Sequence, residues 1–260
     1  MAQLYLKYYL QAANSKGHGV HSPFVFKLIT EVFNDTRIYN CYTSIESIRQ
    51  QLLKNNNTIL LEDFGAGSRI EKTKERTVKA IAQSSLKPRK FSQLLFRLAN
   101  YFQPKHILEL GTSLGITTSY LSSACTKAQV ITMEGANAVA DMAASNFDQL
   151  QLQNISIVRG NFDDTLSTVL SKEMPAIDFA YIDGNHRFTP TCNYFEEILQ
   201  HSYNNTCIIL DDIHWSKEME LAWQYAQQHK AVTLTIDLFF IGIVFIRKEQ
   251  KEKEHFIIRF

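Results

Sequence analysis

The chain has 260 residues, of which 45% are hydrophobic and 20% are charged. This composition is close to the average for soluble globular proteins and argues against a disordered or fibrous chain. The 27 Lys and Arg residues nearly balance the 26 Asp and Glu residues, so no global field draws the protein to nucleic acid or to an anionic membrane.

Residues 1–105 are predicted to be mainly helical. The apolar residues of the segment KFSQLLFRLANYF recur at helical spacing just before Pro104. Upstream, Glu62 to Lys90 mixes glycines with many charges, which predicts a mobile loop or lid. We therefore expect two parts: residues 1–90 as a helical extension with a substrate or lid segment, and residues 91–260 as a cofactor-binding domain.

From about Ile107 onward, short β-branched runs alternate with longer amphipathic runs, a pattern that predicts a Rossmann-like sheet with helices on both faces. Only a few residues separate the last two runs, too few for a parallel crossover, so the final strand is expected to be antiparallel. The seven predicted strands are His106 to Leu110, Gln129 to Met133, Ile155 to Val158, Ile177 to Ile182, Cys207 to Leu210, Val232 to Asp237 and Ile241 to Arg247.

The amino-terminal residues lack the basic and apolar regions of a signal peptide, and no apolar run is long enough to span a bilayer. A cytoplasmic location is the expectation. The four cysteines show no CxxC spacing and are interpreted as reduced, mostly buried thiols.

The segment ILELGTSLGITTSYL combines an apolar strand, a turn from Gly111 to Gly115 and a helix start. Glycine lets such a turn bend sharply, and the free N–H groups of the following helix face the ligand. A dinucleotide site favours GxGxxG with a pyrophosphate at the helix start. The spacing here is GxxxG, which suits a ligand without phosphates.

Polar side chains follow the next two predicted strands. Glu134 lies 23 residues after Gly111, where a carboxylate can accept both hydroxyls of an adenosine ribose. Asn161 and Phe162 follow the third strand, where an amide and a ring can read and cover an adenine. The order of these groups along the chain predicts a nucleoside site.

The motifs ELGTSLG, MEG, GNF and AYIDGNH, in this order, resemble those of class I S-adenosylmethionine-dependent methyltransferases. The resemblance covers residues 90–250 and is strongest to the O-methyltransferase-like branch, where a segment like KFSQLLFRL precedes the first strand. It implies a methyl-transferring enzyme with S-adenosylmethionine as cofactor, and it makes Ser92 and Gln93 candidates for closing the end that holds the cofactor's carboxylate. The cofactor-binding residues it implies are Glu109, Gly111, Thr112, Ser113, Gly115, Glu134, Gly135, Asn161, Phe162 and Asp183.

Three carboxylates are expected to converge at strand ends: Asp183 after the fourth strand, and Asp211 with Asp212 after the fifth. Metal-dependent catechol-type relatives place an Asp and then an Asp-Asn pair at these points, so Asp183, Asp211 and Asp212 are candidate ligands for Mg or Mn. The alternative without metal makes Asp183 or His186 the general base. Asp183, His186 and Asp212 are the candidate catalytic residues, although a carboxylate of the Asp pair can equally cap the next turn.

The preferred function is O-methylation of a small-molecule acceptor, with a homodimer as a possible assembly and no membrane partner. One alternative is an RNA-modifying methyltransferase, with the basic residues between Lys72 and Lys90 as contacts. A second is a noncatalytic module that retains the fold for binding. A nicotinamide-dependent oxidoreductase is disfavoured by the loop spacing and the final antiparallel strand.

Overall fold

The structure is a computed structural model that describes residues 2–17, 19–61 and 75–260. In chain order, its helices are α1 (Ala2–Gln11), α2 (Pro23–Leu28), α3 (Asn40–Leu52), α4 (Val78–Ser85), α5 (Arg89–Phe102), α6 (Ile116–Ala124), α7 (Asn137–Gln149), α8 (Phe162–Thr168), α9 (Phe188–Gln200) and α10 (Lys217–Gln228), with π-helical turns at Ile29–Phe33 and Val169–Glu173. Its strands are β1 (Thr58–Leu60), β2 (Glu75–Thr77), β3 (His106–Leu110), β4 (Gln129–Glu134), β5 (Ile155–Arg159), β6 (Ile177–Ile182), β7 (Ser202–Asp211), β8 (Leu234–Asp237), β9 (Ile241–Phe245) and β10 (Glu254–Ile257).

The chain divides into two compact units. The central unit comprises Arg37–Thr168, and the discontinuous unit comprises Met1–Thr36 together with Val169–Phe260. This division differs from the expected boundary at residue 90, which stays a prediction. Of the expected lid segment, residues 62–74 lie outside the described residues, and the remainder forms β2 and α4.

The central unit contains the three parallel strands β3, β4 and β5, with β4 paired to both neighbours. The interior of β3 is buried on both faces, as expected for a parallel strand covered by helices. A short antiparallel pair of strands, β1 and β2, precedes α4. Thr77 caps α4 because its hydroxyl accepts a hydrogen bond from the N–H of Ala80 over 3.1 Å.

The discontinuous unit contains five strands: β6 and β7 are parallel, β9 runs antiparallel to both β7 and β8, and β10 is parallel to β8. The amino-terminal segment joins the carboxyl-terminal strand through a parallel bridge between Ala13 and Ile258. The Tyr8 hydroxyl donates to the Ile258 carbonyl, and the buried Tyr8 ring packs against Phe239. Residues from both ends of the chain therefore share one small core.

The mixed α/β, Rossmann-like fold predicted from the sequence is confirmed, as is the antiparallel pairing of the seventh predicted strand, β9. The strand count was wrong by one, because no strand was predicted after Arg247 and the structure has β10 there. β10 is short and lies at the edge beside β8, so it carries few of the apolar residues that reveal a buried strand. The last strand of the chain is thus parallel to its neighbour.

Within the described residues, no helix combines the length and the apolar character needed to cross a bilayer. The cysteines are free thiols, as expected; Cys125, Cys192 and Cys207 are buried and Cys41 is half-buried.

Candidate cofactor and acceptor sites

The loop between β3 and α6 turns sharply through three left-handed residues. Gly111 has φ 104°, Ser113 has φ 47° and Gly115 has φ 76°. The N–H groups of Gly111 and Thr112 donate to the carbonyl of Met133 over 3.0 and 3.1 Å, which holds the loop beside the end of β4. The predicted glycine turn is therefore present, and its glycines occupy backbone conformations that favour this residue.

Helix α7 packs directly beneath the end of this loop, a contribution that sequence reasoning missed. The buried amide of Asn146 donates to the carbonyl of Leu114 over 2.9 Å, and a Cβ on Gly115 would lie only 2.5 Å from the ring of Phe147. The signal available in the sequence was an asparagine next to the apolar face of a predicted helix, since a polar group that becomes buried needs a hydrogen-bond partner.

Glu109, expected among the cofactor-binding residues, lies fully inside the protein. Its Oε2 accepts hydrogen bonds from the hydroxyls of Thr118 and of Thr132, the latter over 2.7 Å. The Thr132 hydroxyl also lies 2.6 Å from that of Thr112. These bonds tie β3 to α6 and β4, so Glu109 supports the loop from within, and direct contact with the cofactor stays a prediction.

Glu134 lies at the end of β4, beside the glycine loop. One carboxylate oxygen accepts the N–H of Ser113 over 2.9 Å, and the other accepts the N–H of Ala136 over 2.9 Å. Burial raises the pKa of Glu134 above its ordinary value, and the backbone N–H groups of Ala136 and Ser113 partly oppose this rise. Because an ionised carboxylate offers about four lone-pair sites, Glu134 retains acceptor capacity for two ribose hydroxyls.

Asn161 and Phe162 follow β5, at the same edge of the parallel strands as Glu134 and the glycine loop. The N–H of Gly160 donates to the Glu134 carbonyl over 3.0 Å, and the Asn161 carbonyl accepts the Thr165 hydroxyl over 2.7 Å. Both side chains are half-exposed, and so is Gly135. The structure therefore gathers these predicted residues along one edge, with side chains that suit a nucleoside.

Ser92 does not fit its expected place at the cofactor's carboxylate. Its side chain is fully buried, accepts a hydrogen bond from Arg49 over 3.2 Å and donates to the Lys87 carbonyl over 3.2 Å. The neighbouring Gln93 is half-buried. Ser92 is thus an interior residue of the turn that begins α5.

In the discontinuous unit, Asp183 ends β6 and lies close to His186. The Asp183 carboxylate accepts the hydroxyl of Tyr181 over 3.0 Å, and its other oxygen is 3.5 Å from Nε2 of His186. Both side chains are partly exposed. The structure therefore brings these two candidate catalytic residues together as a pair.

The two aspartates that follow β7 differ from each other. Asp211 is buried, at the last position of β7, opposite Ile241 of β9. Asp212 is half-exposed and left-handed (φ 51°), and its backbone carbonyl accepts the N–H of Trp215 over 2.9 Å. The Asp212 backbone thus closes the turn that follows β7.

The predicted metal set of Asp183, Asp211 and Asp212 is not assembled. Across residues 2–17, 19–61 and 75–260, no group of three or more His, Cys, Asp or Glu side chains is arranged to hold a metal ion. Binding of Mg or Mn by these carboxylates stays a prediction.

A second His–Asp pair was missed by sequence reasoning. Nε2 of His214, after β7, lies 2.8 Å from Oδ2 of Asp237, at the end of β8, and Oδ1 of Asp237 accepts the N–H of Phe239 over 2.8 Å. The ring of Phe239 stacks on His214 with a centroid distance of 5.2 Å. Nδ1 of His214 lies 3.9 Å from Glu220. Only the sheet brings these residues together, so no local motif reveals them.

The chain is similar in sequence to known methyltransferases. Residues 108–213 match the family model of a methyltransferase domain. A catechol O-methyltransferase of Niastella koreensis is 32% identical over 126 residues, which cover 48% of this chain and 55% of that protein. The chain thus matches this curated relative over about half of the relative's length.

Solved structures share the fold at low sequence identity. An O-methyltransferase from Bacillus cereus in complex with S-adenosylhomocysteine matches with TM-score 0.59 and 19% identity, over 85% of this chain and 97% of that one. A methyltransferase of Podospora anserina bound to S-adenosylhomocysteine matches with TM-score 0.56 and 14% identity, over 83% and 100% of the two chains. Together with the sequence matches, these confirm the resemblance to class I methyltransferases of the O-methyltransferase-like branch.

Proposed function

We propose that the chain is an S-adenosylmethionine-dependent O-methyltransferase that acts on a hydroxyl of a small molecule. The observation that carries this proposal is the position of Glu134, whose carboxylate lies at the end of β4 and is bonded to the backbone of the glycine loop. This arrangement suits the two hydroxyls of a ribose.

The bound cofactor supplies an electrophilic methyl group on a sulfonium. The glycine loop and Glu134 orient the adenosyl group, while Asn161 and Phe162 face the adenine. An acceptor hydroxyl gives up its proton as its oxygen bonds to the methyl carbon, and the carbon–sulfur bond breaks to leave a neutral thioether.

A base at the end of β6 takes the acceptor's proton in this proposal. Asp183 and His186 are the candidates, since they are partly exposed and 3.5 Å apart. Asp212 is retained as a third candidate at the end of β7. Because the described carboxylates do not form a metal-holding group, no step is assigned to Mg or Mn.

The name of the Niastella koreensis relative supports catechol as the first acceptor to try. For the RNA alternative, Lys72 and Lys74 lie outside the described residues and Lys87 is buried, so no observation favours a basic groove. A homodimer stays a prediction, which light scattering of the purified protein tests.

Calorimetric titration tests the proposal. S-adenosylmethionine and S-adenosylhomocysteine should bind the wild-type protein, and NAD should not. Glu134→Ala should lose about one or two hydrogen bonds to the ribose, which should weaken binding by about tenfold or more. Glu218→Ala, which truncates an exposed glutamate at the start of α10, is the matched control and should bind normally.

Three results would contradict the proposal: no adenosyl ligand binds, NAD alone binds, or Glu134→Ala binds as tightly as Glu218→Ala. Methyl transfer to catechol, assayed with EDTA and with added Mg or Mn, then distinguishes an enzyme from a noncatalytic binding module. Loss of turnover in EDTA and its recovery with metal would overturn the assignment of proton removal to side chains alone.

A further inference from the structure

Two side chains of α3 lie at the centre of a buried polar network in the central unit. Arg49 and Glu46 are three residues apart, and Nε of Arg49 donates to Oε1 of Glu46 over 3.0 Å. Their side chains are only 8% and 16% exposed. A buried ion pair costs desolvation energy, so its presence is weak evidence that it stabilises the fold.

Arg49 connects α3 to the start of α5. Its Nη1 donates to the carbonyl of Lys87 over 2.8 Å, and its Nη2 donates to the hydroxyl of Ser92 over 3.2 Å. The residue before α5 is Pro88, which provides no side-chain cap. The guanidinium therefore holds the turn at which α5 begins, and its planar fork fixes the geometry of three bonds at once.

Glu46 connects α3 to α6. Its Oε1 also accepts the hydroxyl of Tyr120 over 2.8 Å, and Tyr120 is fully buried in α6. Burial raises the pKa of Tyr120 and the nearby Glu46 carboxylate raises it further, so the phenol keeps its proton and remains the donor. Helix α6 begins directly after Gly115, the last residue of the glycine loop.

We infer that Glu46 and Arg49 are positioning residues for the cofactor site, coupling the start of α5 to α6 and thereby setting the affinity for the adenosyl cofactor. The inference rests on the proposed function. The pair touches neither the glycine loop nor Glu134; it acts through Tyr120, whose helix fixes where the loop ends. Because α3 lies in residues 1–90, which were expected to form a helical extension with a substrate or lid segment, this gives that part of the chain a role in cofactor binding.

The test removes one hydroxyl. Tyr120→Phe keeps the ring but deletes the hydroxyl that bonds to Glu46 and interacts with the Gln93 side chain. S-adenosylhomocysteine affinity should fall about five- to tenfold, within the range seen for residues that do not contact a ligand. Tyr42→Phe is the matched control, since its buried ring packs edge-on against Tyr120 and its hydroxyl does not bond to Glu46.

Affinity is measured by calorimetry well below the unfolding temperature of each variant, with hydrogen exchange of the ligand-free protein beside it. The first turn of α6 should exchange faster in Tyr120→Phe than in Tyr42→Phe. If the wild type binds and the two tyrosine variants bind alike, the inference is overturned while the proposed function stands. If the wild type does not bind the ligand, both fall together.

Discussion

Replacement of Gly115 by alanine tests how closely α7 and the glycine loop are packed. Gly115 has φ 76°, and a left-handed backbone costs an alanine about 1–2 kcal/mol. The new Cβ would also lie 2.5 Å from Cε1 and 2.7 Å from Cζ of Phe147, and 3.1 Å from the Cβ of Ala143. Forced displacement of packed side chains costs about 1–3 kcal/mol, so the total loss of unfolding free energy should be about 2–5 kcal/mol.

Urea denaturation followed by circular dichroism measures this loss. Gly19→Ala is the control, because Gly19 has φ 83° but no atom lies within 4 Å of its would-be Cβ. That variant should lose only the backbone part, about 1–2 kcal/mol. An equal loss in the two variants would refute the steric reasoning. The Gly115→Ala/Phe147→Leu double variant should lose less than the sum of the single changes, because a smaller side chain relieves the clash.

Three further outcomes are expected. Burial raises the pKa of Glu134, so its contribution to fold stability is present at low pH and is lost as pH rises through that raised pKa. S-adenosylhomocysteine affinity should show the opposite trend and fall as the carboxylate is protonated. Calorimetry at several pH values should find a weak, pH-independent affinity for Glu134→Gln. Tyr8→Phe should lower the free energy of unfolding by about 1–3 kcal/mol, since it leaves the buried carbonyl of Ile258 without this donor; an unchanged urea midpoint would show that the bond contributes nothing. Burial raises the thiol pKa to about 12 for Cys125 and about 11 for Cys192, so a thiol reagent at neutral pH should label both far more slowly in the native protein than in urea, and equal rates would contradict the burial.

Sequence patterns were most informative where one chemical requirement dominates. Strand β3 could be predicted to the residue because both of its faces are buried and its apolar run is continuous. The start of β7 was misplaced, since β7 begins at Ser202 and its first residues are polar and partly exposed. Hydrophobic periodicity reflects burial, so it does not reveal the part of a strand that extends beyond the core.

The same contrast holds for the site. The position of Glu134 at a strand end could be predicted from its spacing after Gly111, because these residues lie at the ends of two consecutive parallel strands. The pairing of His214 with Asp237 could not be predicted, since those residues are joined only by the order of strands in the sheet. The different exposure of Asp211 and Asp212 depends on the residue at which β7 ends, and the sequence motif does not specify that residue.

The β-bridge between Ala13 and Ile258 has a consequence for the order in which this protein folds during synthesis. The central unit is one continuous segment, so all of its residues are available once residue 168 has left the exit tunnel. Residues 1–36 are synthesised before the central unit, but their partners in the folded protein are synthesised after it, in residues 169–260. Until those residues are made, Tyr8 has neither the carbonyl of Ile258 nor the ring of Phe239, which it contacts in the folded protein.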